Sequence, residues 1–586
     1  MSIVNSNNEQ RPRRRGGCLR SCLIAFAIYI GLSILAGVFF DDMLQQPTVK
    51  LVDNSVYKIE LAGNLVEQGA KSNPLFDMLN DMPGYNQTVT VGLDQILSNI
   101  DLAEHNDMIK GIYLYGGALQ MSPASAKAIR DRLQLFKQRS GKWVIAYAEN
   151  YNVTNYYLAT VADRMYLNPI GNIGWHGLAA EKMYMTRLLE KIGVEMQILK
   201  VGTYKSAVEP YFRTSMSDAD RQQTLLYLQG IWDEYRADVG RAREIDEKKL
   251  DQYADEYMDI LPAELYVERH MVDTLVYREQ MDEIVRIMSG TKDYKLMTTA
   301  KLNQVERSKS KAKNKIAVLY AEGTIMGDDG EGITAKQMLK QMKKISKDDQ
   351  VKAVVLRVNS PGGSADASEQ IWHGVKTLQA KGLPVVVSMG DLAASGGYYI
   401  SCGADYIYAE PTTLTGSIGI FGTIPNVKKL REKIGIDMDG VGTNQHALMG
   451  VEMVTKGMQP DEQAMMQAMI ERGYDLFTKR CAEGRKMSQD EIKKIGEGRV
   501  WLGKDALGIG LVDALGNIDD AIVKAAELAQ VEEYATTYYP EAVDPMQEML
   551  KMLYGEQSDE EKLVARVKTL AKEPKVLMLM EPVTIK

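Results

Sequence analysis

Residues 352–389 read KAVVLRVNSPGGSADASEQIWHGVKTLQAKGLPVVVSM and contain a complete strand–helix–strand unit. An apolar strand at Ala353–Val358 leads into a glycine loop, a helix over Ala365–Ala380 follows, and a second apolar strand covers Pro384–Met389. Parallel neighbours in a sheet need a crossover of this kind, usually a helix. The stretch therefore predicts an α/β fold with a mostly parallel sheet.

The same unit occurs in the first half of the chain. Ile109–Tyr115 is an apolar strand, Ser122-Pro123 provides an N-cap and a first-turn proline for a helix that ends near Arg139, and Trp143–Ala148 is the next strand. Further matched segments keep the same order: KGIYL at 110–114 with KAVVL at 352–356, and GNIG at 171–174 with GSIG at 416–419. The shared order and spacing indicate an internal duplication and hence two homologous domains.

Each repeat lacks one polar residue that the other repeat has. The segment Val201–Lys205 (VGTYK) matches Val441–Gln445 (VGTNQ), so glutamine replaces the lysine in the second repeat. The segment Ser395–Tyr399 (SGGYY) matches Val153–Tyr157 (VTNYY), so valine replaces the serine in the first repeat. We therefore predict one Ser/Lys site built from both repeats, with Ser395 from one and Lys205 from the other.

The chemistry of the two residues supports this pairing. Ser395 lies on a turn between a strand and an apparent helix, where a hydroxyl is exposed and free backbone N–H groups favour an oxyanion. A serine hydroxyl needs a base to become a nucleophile, and no histidine occurs between His373 and His446. Lys205 lies in an uncharged stretch, 201–208, and burial would favour its neutral form. Each motif on its own is also typical of an ordinary turn or a surface lysine.

The composition excludes several other classes of protein. The net charge of −8 gives no indication of nucleic-acid binding. Cys402 and Cys481 have neither the spacing of metal ligands nor that of a disulfide framework, and they are expected to be buried free thiols. The five histidines are scattered, and no phosphate-binding GxxxxGK[ST] motif is present. We therefore expect no metal and no cofactor.

The N-terminal region predicts a membrane anchor. Cys22–Phe40 contains no charged residue and is long enough to cross a bilayer as a helix. Arginines precede it and Asp41-Asp42 follow, so the short N-terminus is expected in the cytoplasm and the bulk of the chain outside it. The alternative is a cleaved signal peptide, but Val38-Phe39-Phe40 is a poor cleavage site.

These features divide the chain into six predicted parts. Residues 1–21 form a basic cytoplasmic N-terminus, 22–40 the anchor, 46–295 the repeat with the lysine, and 296–315 a basic linker. Residues 316–540 form the repeat with the serine, and 541–586 a helical C-terminal extension. The linker is interpreted as solvated, with contact to anionic lipid as the alternative. The apolar run 576–580 is interpreted as a closing strand or a contact between subunits.

Three motifs together closely resemble those of a known family. They are Tyr204-Lys205-Ser206-Ala207, Pro361-Gly362-Gly363-Ser364 and Ala394–Tyr399, and the resemblance extends from about residue 22 to 540. The family is the long, duplicated form of bacterial signal peptide peptidase A, also called protease IV. The resemblance implies tandem Clp-protease-like/crotonase-type domains and a membrane-anchored, bowl-shaped homotetramer that faces the periplasm.

The resemblance also implies roles for particular residues. Ser395 would be the nucleophile and Lys205 the general base, and Ser417 would hydrogen-bond the lysine. The backbone N–H groups of Gly363 and Gly396 would form the oxyanion hole.

The function expected from the sequence is a serine endopeptidase that degrades cleaved signal peptides and other extended apolar peptides in the bacterial cytoplasmic membrane. Its expected partners are those peptides, the lipid bilayer and further copies of the chain, and not nucleic acid. Two alternatives stay open at this point. A crotonase-like acyl-CoA hydratase or isomerase would also use paired backbone donors but needs neither a Ser/Lys pair nor an anchor. A non-catalytic membrane scaffold would have no reason to keep Ser395, Lys205 and Ser417.

Overall fold

The computed structural model describes residues 49–71, 90–307, 311–328, 330 and 332–542, together with the backbone of 576–579. The predicted anchor at 22–40 and most of the C-terminal extension lie outside these residues. Within the described part of the chain, no helix has both the length and the apolar character needed to cross a bilayer.

Each repeat is built on a mainly parallel sheet. The first sheet has the order β8-β6-β5-β4-β1-β9, and its pairings are all parallel. Its strands are β1 (Ser55–Glu60), β4 (Ile109–Tyr115), β5 (Trp143–Ala148), β6 (Arg164–Leu167), β8 (Thr274–Leu275) and β9 (Lys295–Thr298). A small parallel pair, β2 (Asn64–Val66) and β3 (Thr90–Gly92), lies beside it.

The second sheet repeats this arrangement with the order β20-β16-β15-β13-β10-β21, and β17 and β19 form an additional branch that extends from β15. Its strands are β10 (Asn314–Glu322), β13 (Val351–Ser360), β15 (Val385–Ala394), β16 (Tyr406–Ala409), β17 (Leu414–Gly416), β19 (Val500–Leu502), β20 (Ala514–Leu515) and β21 (Tyr534–Tyr539). The central strands β13 and β15 are rich in valine and are buried almost throughout, as expected for a parallel sheet that is covered on both faces. The predicted duplicated α/β fold is therefore confirmed.

Helices cover the two sheets and connect their strands. In the first repeat they are α1 (Leu93–His105), α2 (Pro123–Ser140), α3 (Val153–Ala159), α4 (Thr186–Ile192), α5 (Asp218–Arg243), α6 (Glu247–Asp255), α7 (Ala263–Glu268), α8 (Met281–Ser289) and α9 (Thr299–Asn303). In the second repeat they are α10 (Ala335–Ile345), α11 (Ala365–Ala380), α12 (Gly396–Ser401), α13 (Lys428–Lys433), α14 (Met449–Thr455), α15 (Pro460–Arg485), α16 (Gln489–Ile495), α17 (Gly503–Gly508) and α18 (Ile518–Leu528).

A third sheet joins the two repeats. Its order is β12-β11-β14-β22-β18-β7, and its strands are β7 (Glu195–Val201), β11 (Ile325–Met326), β12 (Ile333–Thr334), β14 (Gly362–Ser364), β18 (Ile420–Asn426) and β22 (Val576–Leu579). The strand β7 of the first repeat pairs antiparallel with the whole of β18 of the second. The loop after β7 is thereby brought to the carboxyl end of the second sheet.

The apolar core is also continuous between the repeats. Ala394, Leu414 and Leu502 of the second repeat are buried in the core of the first. Gly230 lets α5 approach Leu502, because a Cβ at this position would lie 2.2 Å from its Cδ1. The two repeats are therefore packed against each other around the place where the predicted site residues lie.

Candidate active site

Ser395 lies at the turn between β15 and α12. Its backbone has φ 56° and ψ −114°, a conformation that costs free energy in a residue with a Cβ. Its N–H donates to the carbonyl oxygen of Gly416 at 2.8 Å, so the adjacent strand β17 holds the turn. Strained backbone of this kind is concentrated at functional sites, and here it sets the direction of the serine hydroxyl.

Lys205 comes from the other repeat and is in direct contact with this hydroxyl. Its Nζ lies 2.8 Å from Ser395 Oγ, 3.0 Å from Ser417 Oγ and 3.1 Å from the Ser417 carbonyl oxygen. The side chain is only 1% exposed, and among the described residues it pairs with no carboxylate. Burial therefore lowers the pKa of Lys205 well below its usual value, because the charged ammonium loses its hydration without gaining a counter-ion.

A loop of the second repeat, Glu497–Arg499, covers the lysine. Tyr204 N–H donates to Glu497 O at 2.8 Å, and Thr203 donates to the Glu497 carboxylate through its N–H and its hydroxyl. Gly498 has φ +75°, and a Cβ there would lie 2.7 Å from the backbone nitrogen of Lys205. A Cβ at Gly419 would lie 3.2 Å from Lys205 Cδ. The two glycines therefore allow the protein to close tightly around the lysine stem.

The glycine loop lies against the start of α12. Gly363 has φ +152°, and a Cβ there would lie 1.9 Å from the carbonyl oxygen of Ile325. A Cβ at Gly396 would lie 3.1 Å from the amide nitrogen of Gly363. The backbone of Gly363 is therefore immediately beside that of Gly396, next to Ser395. Such a pair of loops can present N–H groups to a developing oxyanion.

The structure thus brings all five predicted site residues together, and it joins Ser395 to Lys205 within a single chain. It does not bring a histidine to the serine. His446 lies on an exposed segment, and its Nε2 is 3.9 Å from Asp461 Oδ2. Within the described residues, no group of three or more His, Cys, Asp or Glu side chains could hold a metal ion.

Sequence reasoning missed the residues that enclose Lys205. Gly498 belongs to no motif that points to chemistry, and it is almost 300 residues away in sequence. Gly419 was part of the duplicated GSIG segment, but nothing in that segment indicates contact with a lysine. Only the fold could reveal these two neighbours.

The strands β14 and β18 border a position for one extended strand next to this site, which we call the groove. The short strand β22 lies in it and is antiparallel to both neighbours. Its register places Met578 opposite Gly363 and Leu577 opposite Phe421. An extended backbone therefore already lies beside the glycine loop in this structure.

Comparison with known proteins identifies the family. The model of peptidase family S49 matches residues 136–291 and 377–532, one segment in each repeat and together more than half of the chain. The chain belongs to peptidase family S49. The Clp protease model matches residues 307–413, in agreement with a Clp-protease-like α/β fold.

Relatives of this S49 peptidase are similar over most of their length. Protease 4 of Salmonella typhi is 38% identical over 512 residues, which are 82% of this chain and 79% of that protein. Protease 4 of Haemophilus influenzae is 35% identical over 87% of this chain and 85% of its own length. The chloroplastic serine protease SPPA of Arabidopsis thaliana is 30% identical over 75% of this chain and 66% of its own length. This S49 peptidase is therefore a serine protease.

Proposed function

We propose that this S49 peptidase is a membrane-anchored endopeptidase that degrades cleaved signal peptides, with Ser395 as the nucleophile and Lys205 as the general base. The observation that carries the catalytic assignment is the 2.8 Å contact between Lys205 Nζ and Ser395 Oγ. The lysine in this contact is buried and without a carboxylate partner among the described residues.

The three contacts of the lysine account for its role as a base. A neutral amine has two hydrogens and one lone pair. The two hydrogens can donate to Ser417 Oγ and to the Ser417 carbonyl oxygen, which leaves the lone pair for the Ser395 hydroxyl. Ser417 therefore orients the amine, and the burial that disfavours the ammonium keeps the lone pair available.

The reaction then follows from the positions of these groups. Lys205 accepts the proton of Ser395 while Oγ attacks the scissile carbonyl, and the N–H groups of Gly363 and Gly396 stabilise the oxyanion. The lysine ammonium returns its proton to the leaving amine as the C–N bond breaks. Lys205 then takes a proton from water as the water attacks the acyl-enzyme, and it returns that proton to Ser395 Oγ as the acyl C–O bond breaks.

The proposed substrate binds as an extended strand between β14 and β18. The position of β22 supports this mode, because that strand pairs with both neighbours and passes opposite Gly363. Main-chain hydrogen bonds to a strand edge give affinity without requiring a particular sequence. Signal peptides are apolar and can bind in this way once they leave the bilayer.

The proposed location rests on the apolar segment 22–40 and its flanking charges. The arginines before Cys22 and the acidic pair after Phe40 favour an N-terminus in the cytoplasm, with the catalytic repeats in the periplasm. A catalytic domain held at the membrane surface would meet signal peptides where they accumulate.

The proposed assembly is a ring, with a tetramer as the expected size. Within one chain, β7 of the first repeat pairs with β18 of the second. The corresponding segments of the opposite repeats, residues 435–441 and 175–181, are fully described and form no strand. Val441 in the first of these segments is 94% exposed. A second copy could repeat the β7–β18 contact here, and such head-to-tail contacts close into a ring.

Full-length enzyme in lipid vesicles tests the proposed function. We expect the wild type to clear a vesicle-embedded signal peptide and to label at Ser395 with a fluorophosphonate, and Ser395→Ala and Lys205→Ala to do neither. Near-normal turnover by Lys205→Ala would overturn the dyad. Cleavage of soluble peptides with the embedded signal peptide left intact would overturn the substrate class alone.

Neither alternative function gains support from these observations. An acyl-CoA hydratase or isomerase does not account for a buried Ser/Lys contact or for membership of a peptidase family. A scaffold does not account for the strained serine or for a buried lysine whose pKa is lowered by desolvation.

A further inference from the structure

A buried polar network lies next to the active site, and the reaction described above does not use it. It consists of Glu67 and Ser125 from the first repeat and Arg357, Asn359 and Asp391 from the second. We call these five residues the inter-repeat clamp. Glu67 and Arg357 form a bidentate ion pair with distances of 2.9 and 3.1 Å, and their side chains are 3% and 2% exposed.

The clamp occupies an irregularity in the strand that carries the nucleophile. Between β13 and β15 the register runs from Val358 opposite Met389 to Ser360 opposite Ala393. An advance of two residues along β13 therefore corresponds to an advance of four residues along β15, so residues 390–392 form a bulge. A bulge next to an active site redirects the side chains that follow it. Ser395 follows this one by three residues.

At the bulge, hydrogen bonds from side chains take the place of the backbone hydrogen bonds between β13 and β15. The N–H of Leu392 donates to Asn359 Oδ1 at 3.2 Å, and Arg357 donates to Ser388 Oγ and to Met389 O on the near side. Asn359 Nδ2 also donates to Glu67 at 3.0 Å and to Asp391 at 3.3 Å. The conformation of the bulge is therefore fixed by the polar groups around it.

The first repeat supplies the groups that complete this arrangement. Asp391 Oδ1 accepts hydrogen bonds from the N–H and the hydroxyl of Ser125, both at 2.8 Å, in the first turn of α2. The positive end of a helix favours a carboxylate at this place. The Glu67 carboxylate lies directly against Gly390, where a Cβ would be 2.4 Å from Oε1.

The glycine loop and the turn that carries Ser395 both follow closely after a residue of the clamp. Asn359 precedes the glycine loop 361–364 by two residues, and Asp391 precedes Ser395 by four. We propose that Glu67 and Ser125 are positioning residues, which fix the bulge in β15 and thereby set Ser395 and the Gly363 amide in their reactive geometry. The first repeat would then contribute these two supports as well as Lys205.

The decisive variant is Glu67→Gln, assayed on a soluble peptide so that the result does not depend on the signal-peptide proposal. We expect kcat to fall about 10- to 100-fold, the loss typical of a small misplacement of reacting groups. KM and the pH midpoint of activity should be unchanged, because the clamp touches neither the groove nor Lys205. Glu104→Gln is the matched control, since it breaks a buried ion pair with Arg132 inside the first repeat alone.

The melting temperatures of the two variants show whether Glu67 positions the catalytic residues or only stabilises the fold. If Glu67→Gln and Glu104→Gln lower the melting temperature alike but only Glu67→Gln lowers kcat, the proposal holds. An unchanged kcat in folded Glu67→Gln enzyme overturns it. Should Glu67→Gln not fold, Ser125→Ala decides, because it removes one of the two hydrogen bonds to Asp391 and no charge. We expect a several-fold lower kcat at unchanged KM, and an unchanged kcat overturns the proposal.

Discussion

Lys205 is a buried lysine that contacts no carboxylate among the described residues, and this affects both the chemistry and the stability of the protein. A lysine in water is charged near neutral pH and cannot accept a proton. Here the second repeat removes water through Gly419 and the loop at Gly498, and offers only hydroxyl and carbonyl oxygens in return. This environment favours the neutral amine, which is the form that the proposed role as a base requires.

The pH dependence of activity should report this lysine directly. Because only the neutral amine can accept the serine proton, kcat/KM is expected to rise with pH through one ionisation well below ~10.4, the ordinary lysine value. Steady-state rates across a pH series, with assembly checked at each pH, measure it. A rate that is flat from mildly acidic to alkaline pH would exclude Lys205 as the base.

Stability should follow the same ionisation with a defined sign. The unfolded chain binds a proton on Lys205 up to about pH 10.4, whereas the folded protein releases it at lower pH. Between the pKa of the folded state and that of the unfolded state, the unfolded chain therefore binds more protons. The burial of Lys205 lowers the free energy of unfolding, and this loss becomes smaller as the pH rises from the lower pKa to the higher one. We expect inactive Lys205→Met to be at least as stable as wild type at neutral pH, measured by chemical denaturation. A marked loss of stability would show that the lysine is charged and paired.

Gly498→Ala tests how closely Lys205 is held. The new Cβ would meet the lysine backbone at 2.7 Å, and the residue would keep a left-handed conformation that alanine rarely adopts. We expect a loss of kcat of about 100-fold through displacement of Nζ from Ser395. Gly508→Ala is the control, since a Cβ there meets no atom within 4 Å. Equal activity of the two variants would mean that the loop at Gly498 does not position the lysine.

Among individual residues, the sequence allowed the contact between Lys205 and Ser395 to be predicted, but not the residues that surround it. Lys205 and Ser395 could be found because duplication left Gln445 and Val153 at the corresponding positions. Gly498, Glu67 and Ser125 could not be found in this way. Their roles arise from contacts between repeats, and no local pattern records which distant residues will meet.

Among the secondary-structure elements, β15 is one whose end could not be predicted from the sequence pattern. The apolar run predicted a strand at 384–389, whereas the strand extends to Ala394. Gly390 and Asp391 interrupt the run, and by local propensity they favour a turn. Tertiary hydrogen bonds from Asn359 and Ser125 keep the chain extended past them. By contrast, helix α11 occupies the predicted residues, because Ser364 caps its start and its apolar face is regular.

Removing the strand β22 should expose the groove beside the glycine loop. Because β22 pairs with both β14 and β18, it occupies the place proposed for substrate. We expect a chain that ends at residue 542 to hydrolyse short peptides with a several-fold lower KM and an unchanged kcat. The comparison with full-length enzyme on one fluorogenic peptide measures this. An unchanged KM would show that β22 does not compete with peptides, and a lower kcat would show that it supports the site.

For the whole molecule, a difference between the repeats predicts how copies associate. The strands β7 and β18 pair with each other, whereas the equivalent segments of the opposite repeats form no strand. Val441→Asp places a charge on the exposed segment 435–441, and we expect it to convert the proposed oligomer to smaller species in light scattering of detergent-solubilised protein. Peptide hydrolysis should persist, because Lys205 and Ser395 meet within one chain. Val523→Asp on the exposed face of α18 is the control, since this valine is also exposed but lies outside both segments. An unchanged oligomer in Val441→Asp would exclude this surface as the contact.

The division of the site between two repeats has a consequence for the order of synthesis. The first repeat leaves the ribosome with Lys205 but without Ser395, the proposed nucleophile. The nucleophile emerges about 190 residues later, and the loop that encloses the lysine about 100 residues after that. Throughout this period the growing chain lacks the Ser/Lys pair on which the proposed activity depends. The length of the chain would thereby delay peptide cleavage until translation is nearly complete.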